Sequence, residues 1–456
     1  MRIRSQLQLY FKVQSVSTTV SDELGAVSNL LESLPEYGEL LNAVLRDLNP
    51  NHDSTACAGR PGMTAEQVFR AYILKGRCNC SYRKLSELTE DSISAREFMK
   101  IAPFKGGFDF KTLHGNIILI SESTIDLINT ALKKYSLDQN IEDGSVTRTD
   151  ATTIETNIHH PTDWSLMHDS IRVLSRIMTM LLELHGVPIV FQNHYRASKK
   201  KLFKINNTRS DDKKRKLNME LIRICSKTIE YAKSALPVVD KHSYARDLNS
   251  FAKYTTLISE LRRIIPLAEQ IRDVAHRRIV LGEHVPSSEK IVSIFEPHTD
   301  IIVKGRRDVV FGHKTTITTG KSGIITDVII HDGNPADSTL VPEVLERHKE
   351  FFVVPPKSMV FDGCYYSKDN RALLVNEGVE QICFSKEPEE KITCSRTVRK
   401  ILRFFRAGIE ATVSMLKRMF GWDRVFDKGK EHFHKSVKTG VLVYNLFILS
   451  RAKLIA

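Results

Sequence analysis

Apolar residues recur at helical spacing through much of the first 140 residues of this 456-residue chain, and breaks divide the pattern into short segments. Pro35 interrupts the first segment, because proline lacks the backbone N–H that a helix interior needs. The stretch 49–61 is polar, which is typical of a linker. The pattern therefore predicts an all-helical N-terminal region with one internal linker.

Three short helices are predicted after this linker. Thr64, with Gln67 three residues later, predicts a capping box at the start of the first helix. Two further helices are predicted at 82–88 and 93–101, separated by tight turns and carrying basic residues. Such a unit at 64–101 fits a helix-turn-helix-like DNA-binding region. A plain helical bundle fits the same spacing equally well.

The pattern changes at 144–158, where β-branched residues dominate and predict a β-strand. From 169 to 281 the sequence is strongly charged, helical in its apolar spacing and almost free of glycine, so this block is predicted to be all-helical. Strands are predicted again at 291–295 and 301–303. The helical block therefore separates the first predicted strand from all later ones.

Strands and helices alternate after this block. The predicted elements are a hairpin (309–318 and 323–331), a helix ending near 352, a strand (359–361), a helix (368–376), a strand (381–384) and two long helices (396–420 and 433–453). Together with the first strand, this order predicts an α/β fold with a ribonuclease-H-like mixed sheet. The predicted domains are a helical DNA-binding region (1–140), a catalytic domain (141–168 and 290–425), a large all-helical insertion (169–289) and a C-terminal helix (426–456).

The charge balance suggests a polyanionic partner. The chain has 67 Lys and Arg against 54 Asp and Glu, a net charge of +13. A basic protein without such a partner remains the alternative. No apolar run is long enough to span a bilayer, and the N-terminus lacks the apolar core of a secretory signal. The sequence therefore predicts a cytoplasmic protein with no membrane partner.

Seven cysteines are scattered without a repeating pattern, which favours a reducing compartment over a disulfide framework. Cys78 and Cys80 are too closely spaced for a usual zinc half-site, and no second pair of ligands stands at a suitable distance. Unpaired thiols are the better interpretation.

Three carboxylates are placed where a catalytic site could form. Asp150 lies in the first predicted strand, Asp362 directly follows the apolar strand at 359–361, and Glu410 lies in a long helix. Each has a simpler explanation: an exposed strand residue, an Asp-Gly turn, and a surface ion pair with Arg406 four residues earlier. Their joint placement favours a common site.

Such a trio suits metal-dependent phosphodiester chemistry. Two Mg²⁺ ions about 4 Å apart can activate an attacking oxygen and stabilise a leaving one. Magnesium prefers hard oxygen ligands and keeps several waters, so a few carboxylates on different elements suffice. Because three like charges repel one another, a buried trio would imply a cation.

Several segments resemble the transposases of bacterial insertion sequences, closest to the ISNCY group, from residue 64 to the C-terminus. Arg406, Glu410 and Lys417 reproduce the R-(3)-E-(6)-K spacing around the catalytic glutamate of many such enzymes. The tyrosine expected three residues before that arginine is replaced by Arg403. Further matching segments lie at 149–163, 311–314, 331–337, 361–366 and, near the N-terminus, 82–92.

The resemblance implies a DDE transposase with a ribonuclease-H-like catalytic domain. Asp150, Asp362 and Glu410 would be the catalytic residues and would hold two Mg²⁺ ions, with Mn²⁺ as a possible substitute. The DNA-binding residues implied are Arg406, Lys417, Lys314, Arg83, Lys84 and Arg96. The expected partners are the terminal inverted repeats and target DNA, bound by a homodimer. A catalytically inactive DNA-binding derivative and a nuclease without strand transfer are the alternatives.

Overall fold

A computed structural model describes residues 4, 19–49, 62–242, 247–304, 308–385 and 395–455. From residue 50 onward, the predicted linker lies outside the described residues. The chain divides into two compact units. The first, here called the sheet unit, comprises Met1–Glu155 and His313–Ala456, and the second, the insertion unit, is Thr156–Gly312.

Seven helices precede the sheet in the part of the chain that the structure describes. They are α1 Thr19–Ser33, α2 Tyr37–Leu48, α3 Ala65–Cys78, α4 Tyr82–Asp91, α5 Ile93–Phe98, α6 Phe110–Ile117 and α7 Glu122–Asp138. The predicted break at Pro35 is confirmed, since it lies between α1 and α2. The predicted capping box is also confirmed: the Gln67 amide donates to Thr64 Oγ1 (3.1 Å), and the Thr64 amide donates to Gln67 Oε1 (3.2 Å).

The strands form one mixed sheet. They are β1 Val146–Thr156, β2 Asp300–Lys304, β3 Asp308–Gly320, β4 Ile325–Ile330, β5 Ser358–Phe361, β6 Gln381–Phe384 and β7 Arg424–Val425. The order is β2-β3-β1-β5-β6, with β4 also paired to β3 and β7 to β1. β3 is antiparallel to β2 and β4, whereas β5 is parallel to both β1 and β6. This arrangement confirms the predicted α/β fold class.

The predicted strand at 291–295 is wrong. These residues form turns, although Val292 and Ile294 are buried as a strand pattern would require. The cause is Ser293, whose hydroxyl oxygen accepts from the backbone amides of Phe295 and Glu296 (both 3.2 Å). A serine side chain that binds nearby backbone in this way competes with strand pairing.

The insertion unit is largely helical, as its sequence predicts. Its helices are α8 Asp163–His185, α9 Tyr195–Asn206, α10 Asp211–Lys241 and α11 Leu248–Ile279. α8, α10 and α11 pack against one another around a core that includes Leu174, Leu221 and Leu261. This unit therefore has a hydrophobic core of its own.

The remaining helices complete the sheet unit. They are α12 Val341–Phe352, α13 Lys368–Asn376, α14 Arg396–Met419 and α15 Lys430–Ile455. α15 packs against α1, α3 and α7. None of the helices in the described part of the chain is both long and apolar enough to cross a membrane.

β5 is buried on both faces because its residues alternate between two helical layers. Val360 packs with Leu402 of α14 on one face. Met359 and Phe361 belong to a core shared with Val344 of α12 on the other. A strand covered on both sides has a nearly continuous apolar sequence, as this one does. The layers fix where β5 ends, and Asp362 is the next residue.

Candidate active site

Two aspartates lie where the parallel pairing of β1 with β5 ends, Asp150 within β1 and Asp362 directly after the carboxyl end of β5. The register of β1 and β5 pairs Thr149 with Phe361, and Asp150 and Asp362 are the next residues on the two strands. Thr149 and Phe361 are fully buried, so neither strand can slip without exposing a core residue. A short 3-10 helix follows at Gly363–Tyr365, so Asp362 lies between the carboxyl end of β5 and this helix.

One arginine contacts all three predicted catalytic carboxylates. Arg406 of α14 lies one helical turn before Glu410, and its Nη2 is 3.0 Å from Glu410 Oε1. Its Nη1 is 3.7 Å from Asp362 Oδ1 and 3.9 Å from Asp150 Oδ2. The structure thus brings the predicted trio together around a single guanidinium.

The three carboxylates differ in their exposure to solvent. The side chain of Asp150 is 25% exposed and that of Asp362 36%, whereas that of Glu410 is 65% exposed. Burial raises the pKa of Asp150 to about 6, with smaller contributions in the same direction from Asp362 and Asp337. Arg406 and the amide of Ala151 act against this rise. The negative charges are close enough to influence one another.

α14 is held over β1 by a buried arginine that the sequence analysis missed. Arg148 donates through Nη1 to the carbonyl of Phe405 (2.5 Å) and through Nε to Thr319 Oγ1 (2.8 Å). Its guanidinium also lies 4.5 Å from the centre of the Phe405 ring. Because Arg148 precedes Asp150 by two residues, both side chains face the same side of β1. Arg148 therefore links the strand of Asp150 to the helix of Glu410.

A helical glycine makes this approach of α14 possible. A Cβ atom on Gly408 would lie 2.0 Å from Arg148 Nη1 and 2.8 Å from its Cζ. Glycine in a helix interior is about 1 kcal/mol less favourable than alanine. Its presence within a long helix, together with a charged residue inside β1, is the signal that could have revealed this contact.

Lys314 lies in the interior of the sheet unit. Its ammonium is 2.6 Å from Asp337 Oδ1 and donates to the Pro335 carbonyl (2.7 Å). His331, at the start of the same loop, shares a 2.8 Å hydrogen bond with Thr316 on β3. These contacts anchor the loop 331–337 to β3 and bring Asp337, a fourth carboxylate, near the site.

The predicted DNA-contacting residues of the N-terminal helices have different surroundings. Arg83 and Lys84 are exposed on α4; the Arg83 guanidinium lies 5.4 Å from the Phe110 ring centre, and Lys84 pairs with Glu87 (2.9 Å). Arg96 instead donates to backbone carbonyls, including that of Thr89 (2.7 Å). Further carbonyl acceptors of Arg96 lie at Ala102 (3.1 Å) and Lys105 (2.5 Å).

Lys417 lies on α14, seven residues after Glu410, and therefore on nearly the same helical face. Its side chain is half-buried. No carboxylate pairs with it among the residues that the structure describes. Lys417 therefore remains available to an anionic ligand.

The donor set suits a hard divalent cation. Asp150, Asp362 and Glu410 offer carboxylate oxygens, the ligands that Mg²⁺ and Mn²⁺ prefer, and they already surround a positive group. Within the described ranges, no three acidic, histidine or cysteine side chains are arranged closely enough to enclose an ion. In this arrangement the guanidinium of Arg406 supplies the positive charge among the carboxylates. The carboxylate oxygens have the chemistry that a divalent metal needs.

Residues 303–446 match the family model described as Transposase DDE domain. The match supports a DDE transposase. It includes Asp362, Arg406 and Glu410 and begins after Asp150. No curated protein and no solved structure matches the chain. DDE transposase domains in general belong to nucleotidyl-transfer enzymes that bind DNA and use divalent metals.

The contacts of Arg406 with three carboxylates can be tested directly. We expect Arg406→Gln to lower the melting temperature in EDTA by a few degrees, because the three carboxylates then repel one another without compensation. Adding 10 mM MgCl₂ should raise the melting temperature more in this variant than in the wild type, since an ion no longer competes with a guanidinium. Differential scanning calorimetry with and without MgCl₂ measures both effects.

Lys417→Gln is the matched control for this experiment, because it removes a cation of the same helix that contacts none of the three carboxylates. It should leave the MgCl₂ response as in the wild type. An equal response in Arg406→Gln and the wild type would contradict the placement of the ion among these carboxylates.

Proposed function

We propose that this chain is a transposase of the ISNCY type, from a bacterial insertion sequence. It would cleave DNA at the ends of the element and join each freed 3′-hydroxyl to target DNA. The observation that carries the proposal is the placement of Asp150 and Asp362 directly after the last pair of residues that joins β1 and β5, with Glu410 of α14 contacting the same arginine.

Asp150 and Asp362 would hold two Mg²⁺ ions, or Mn²⁺, and Glu410 would complete the shell from its more exposed position. When bound, such ions activate the attacking oxygen and stabilise the leaving one. The hydrogen bond from Arg148 to the Phe405 carbonyl joins β1 to α14, which would keep Glu410 near the two aspartates. Positioning of this kind is most of what a protein contributes to phosphoryl transfer.

Arg406 is suited to contact a phosphate once a metal compensates the carboxylates, since its guanidinium can bind oxygens in pairs. Lys417 would add a second cation on the same helix, and Arg83 and Lys84 would contact DNA from α4. For Lys314 and Arg96, the contacts within the protein favour a role in holding loops.

The helical N-terminal region would recognise terminal inverted repeats. Two ends must be brought together, so a homodimer on DNA in the cytoplasm is part of the proposal.

Cleavage mapping on DNA that carries the element's own ends tests this function. With MgCl₂ or MnCl₂, the wild-type protein should cut at the ends and leave a 3′-hydroxyl; with EDTA, no product should form. Pre-cleaved ends should then be joined to a supercoiled target plasmid.

Two other outcomes would replace the proposal. Cutting without joining of pre-cleaved ends would indicate a nuclease that lacks strand transfer. Specific binding of the ends without any cutting in MgCl₂ or MnCl₂ would indicate an inactive DNA-binding derivative.

A further inference from the structure

A corner of the insertion unit carries a high density of positive charge. It comprises α9, the turn after it and the first two turns of α10, residues 195–217. These 23 residues contain ten Lys and Arg and two Asp, a net charge of +8 within a chain whose total is +13. A region that holds most of the excess charge in a small part of the chain indicates where a polyanion binds.

The protein neutralises little of this charge itself. Lys201 pairs with Glu220, and Arg215 donates to the Val280 carbonyl (3.0 Å). The two aspartates, Asp211 and Asp212, lie in the first turn of α10, where the helix dipole favours negative charge. Within the described part of the insertion unit, no carboxylate forms an ion pair with the other eight basic residues of the corner.

The corner has a fixed shape. Asn207 donates to the Phe203 carbonyl (2.8 Å), and Thr208 donates to that of Lys204 (2.6 Å), which closes the end of α9. Ile205 is fully buried and anchors the same turn in the core of the unit. The basic side chains therefore extend from an ordered surface, which lowers the entropy cost of binding.

Three of the lysines surround a cavity of about 410 Å³. Lys204, Lys213 and Lys216 line it together with Phe203 and Leu217, and no acidic side chain does. Phe203 is 69% exposed, which is unusual for a large apolar side chain among charges. A solvated helix face normally mixes both signs in i,i+4 pairs. Unpaired cations around an exposed ring instead suit the phosphates and sugars of a nucleic acid.

We propose that this corner binds the phosphate backbone of double-stranded DNA and forms a DNA contact of its own in the insertion unit. The inference rests on the proposed function, which supplies DNA as the polyanion. α9 has 12 residues and is therefore about 18 Å long, the length of about five phosphates along one strand. Phe203 packs against a sugar while Lys204, Lys213 and Lys216 neutralise the phosphates beside it.

The test measures binding of the full-length protein to a fluorescein-labelled 30-base-pair duplex of random sequence, in EDTA and over a range of KCl concentrations. The triple variant Lys204→Gln, Lys213→Gln, Lys216→Gln should bind at least about ten-fold more weakly at 0.1 M salt. Its plot of log affinity against log salt should be less steep by about 2 to 3, because each lost phosphate contact removes about 0.9 from the slope.

Two matched variants make the result specific. Lys227→Gln, Lys241→Gln, Lys253→Gln removes the same charge from exposed positions of α10 and α11 outside the corner and should bind within two-fold of the wild type. The triple exchange of Lys204, Lys213 and Lys216 to Arg keeps the charge and should also bind like the wild type. Wild-type affinity and slope in the Gln triple would overturn the proposal, as would equal losses in both Gln triples.

The outcome is independent of catalysis. Binding in EDTA requires no metal, so loss of binding in the Gln triple supports the basic corner even if the wild-type protein cuts no DNA. Conversely, a Gln triple that binds normally while the wild-type protein cleaves and joins ends overturns only this inference.

Discussion

Asp362→Asn is expected to reduce metal-dependent cleavage of transposon ends by roughly 10³-fold or more, because it removes a carboxylate charge beside Asp150 where the ions are proposed to bind. Asp150→Asn should have a similar effect. Glu410→Gln should also reduce cleavage severely. Because the Glu410 side chain is more exposed, this change should affect the stability of the fold less. Cleavage rates on end-bearing DNA in MgCl₂ measure the loss, and duplex binding in EDTA should stay within two-fold.

These variants should not lose stability in EDTA. Each removes one of several like charges that crowd the same place, so its melting temperature should be no lower than that of the wild type. Lost activity in a protein of undiminished stability separates a catalytic role from a structural one. Asp423→Asn, which alters an exposed aspartate elsewhere in the sheet unit, is the control and should cleave normally. Cleavage above a tenth of the wild-type rate in Asp362→Asn would contradict the assignment.

Gly408→Ala is expected to destabilise the sheet unit by about 2–4 kcal/mol, although the same change in an ordinary helix interior stabilises by about 1 kcal/mol. The added methyl group would occupy the position of the Arg148 guanidinium. That group would lose its bonds to Thr319 and Phe405 while it remains buried. Urea unfolding followed by circular dichroism measures the change, and cleavage should fall because α14 carries Arg406 and Glu410.

A double-mutant cycle separates this contact from a general effect of the substitution. In an Arg148→Met background, Gly408→Ala should lower the free energy of unfolding much less. The added methyl group would then displace an uncharged side chain. Gly25→Ala is the helical control, since nothing lies within 4 Å of the added atom. Equal effects of Gly408→Ala in both backgrounds would show that Arg148 does not set the position of α14.

The sequence predicts the parallel part of the sheet well because its strands are buried on both faces. β5 and β6 are short, continuous apolar runs bounded by loops, which favours buried strands. Asp362 is predicted from its position after β5, and Glu410 from the motif on α14. The strand at 291–295 failed for the opposite reason, because a single serine hydroxyl redirected an apolar alternation into turns. A hydrogen bond between a side chain and nearby backbone cannot be recognised from the spacing of apolar residues.

Contacts between distant parts of the chain could not be predicted. Arg148 and Gly408 are far apart in sequence, and only the packing of α14 over β1 shows that one needs the other to lack a side chain. Similarly, the spacing of Arg406 and Glu410 indicated an ion pair within one helix, but not that the same guanidinium reaches Asp150 and Asp362. Resemblance predicts the candidate site residues, and the fold explains how they meet.

The order of the strands along the chain also has a consequence for synthesis. Asp150 is made 212 residues before Asp362, because the whole insertion unit separates β1 from its parallel partner β5. At about 5–20 residues per second, a ribosome needs roughly 10–40 s to cover that distance. During this interval β1 has no β5 to pair with. Pairing the two strands then closes a loop that contains the insertion unit, which is slow and entropically costly. Nascent chains that stop before β5 cannot assemble the pair of aspartates, so the proposed catalytic site can form only late in translation.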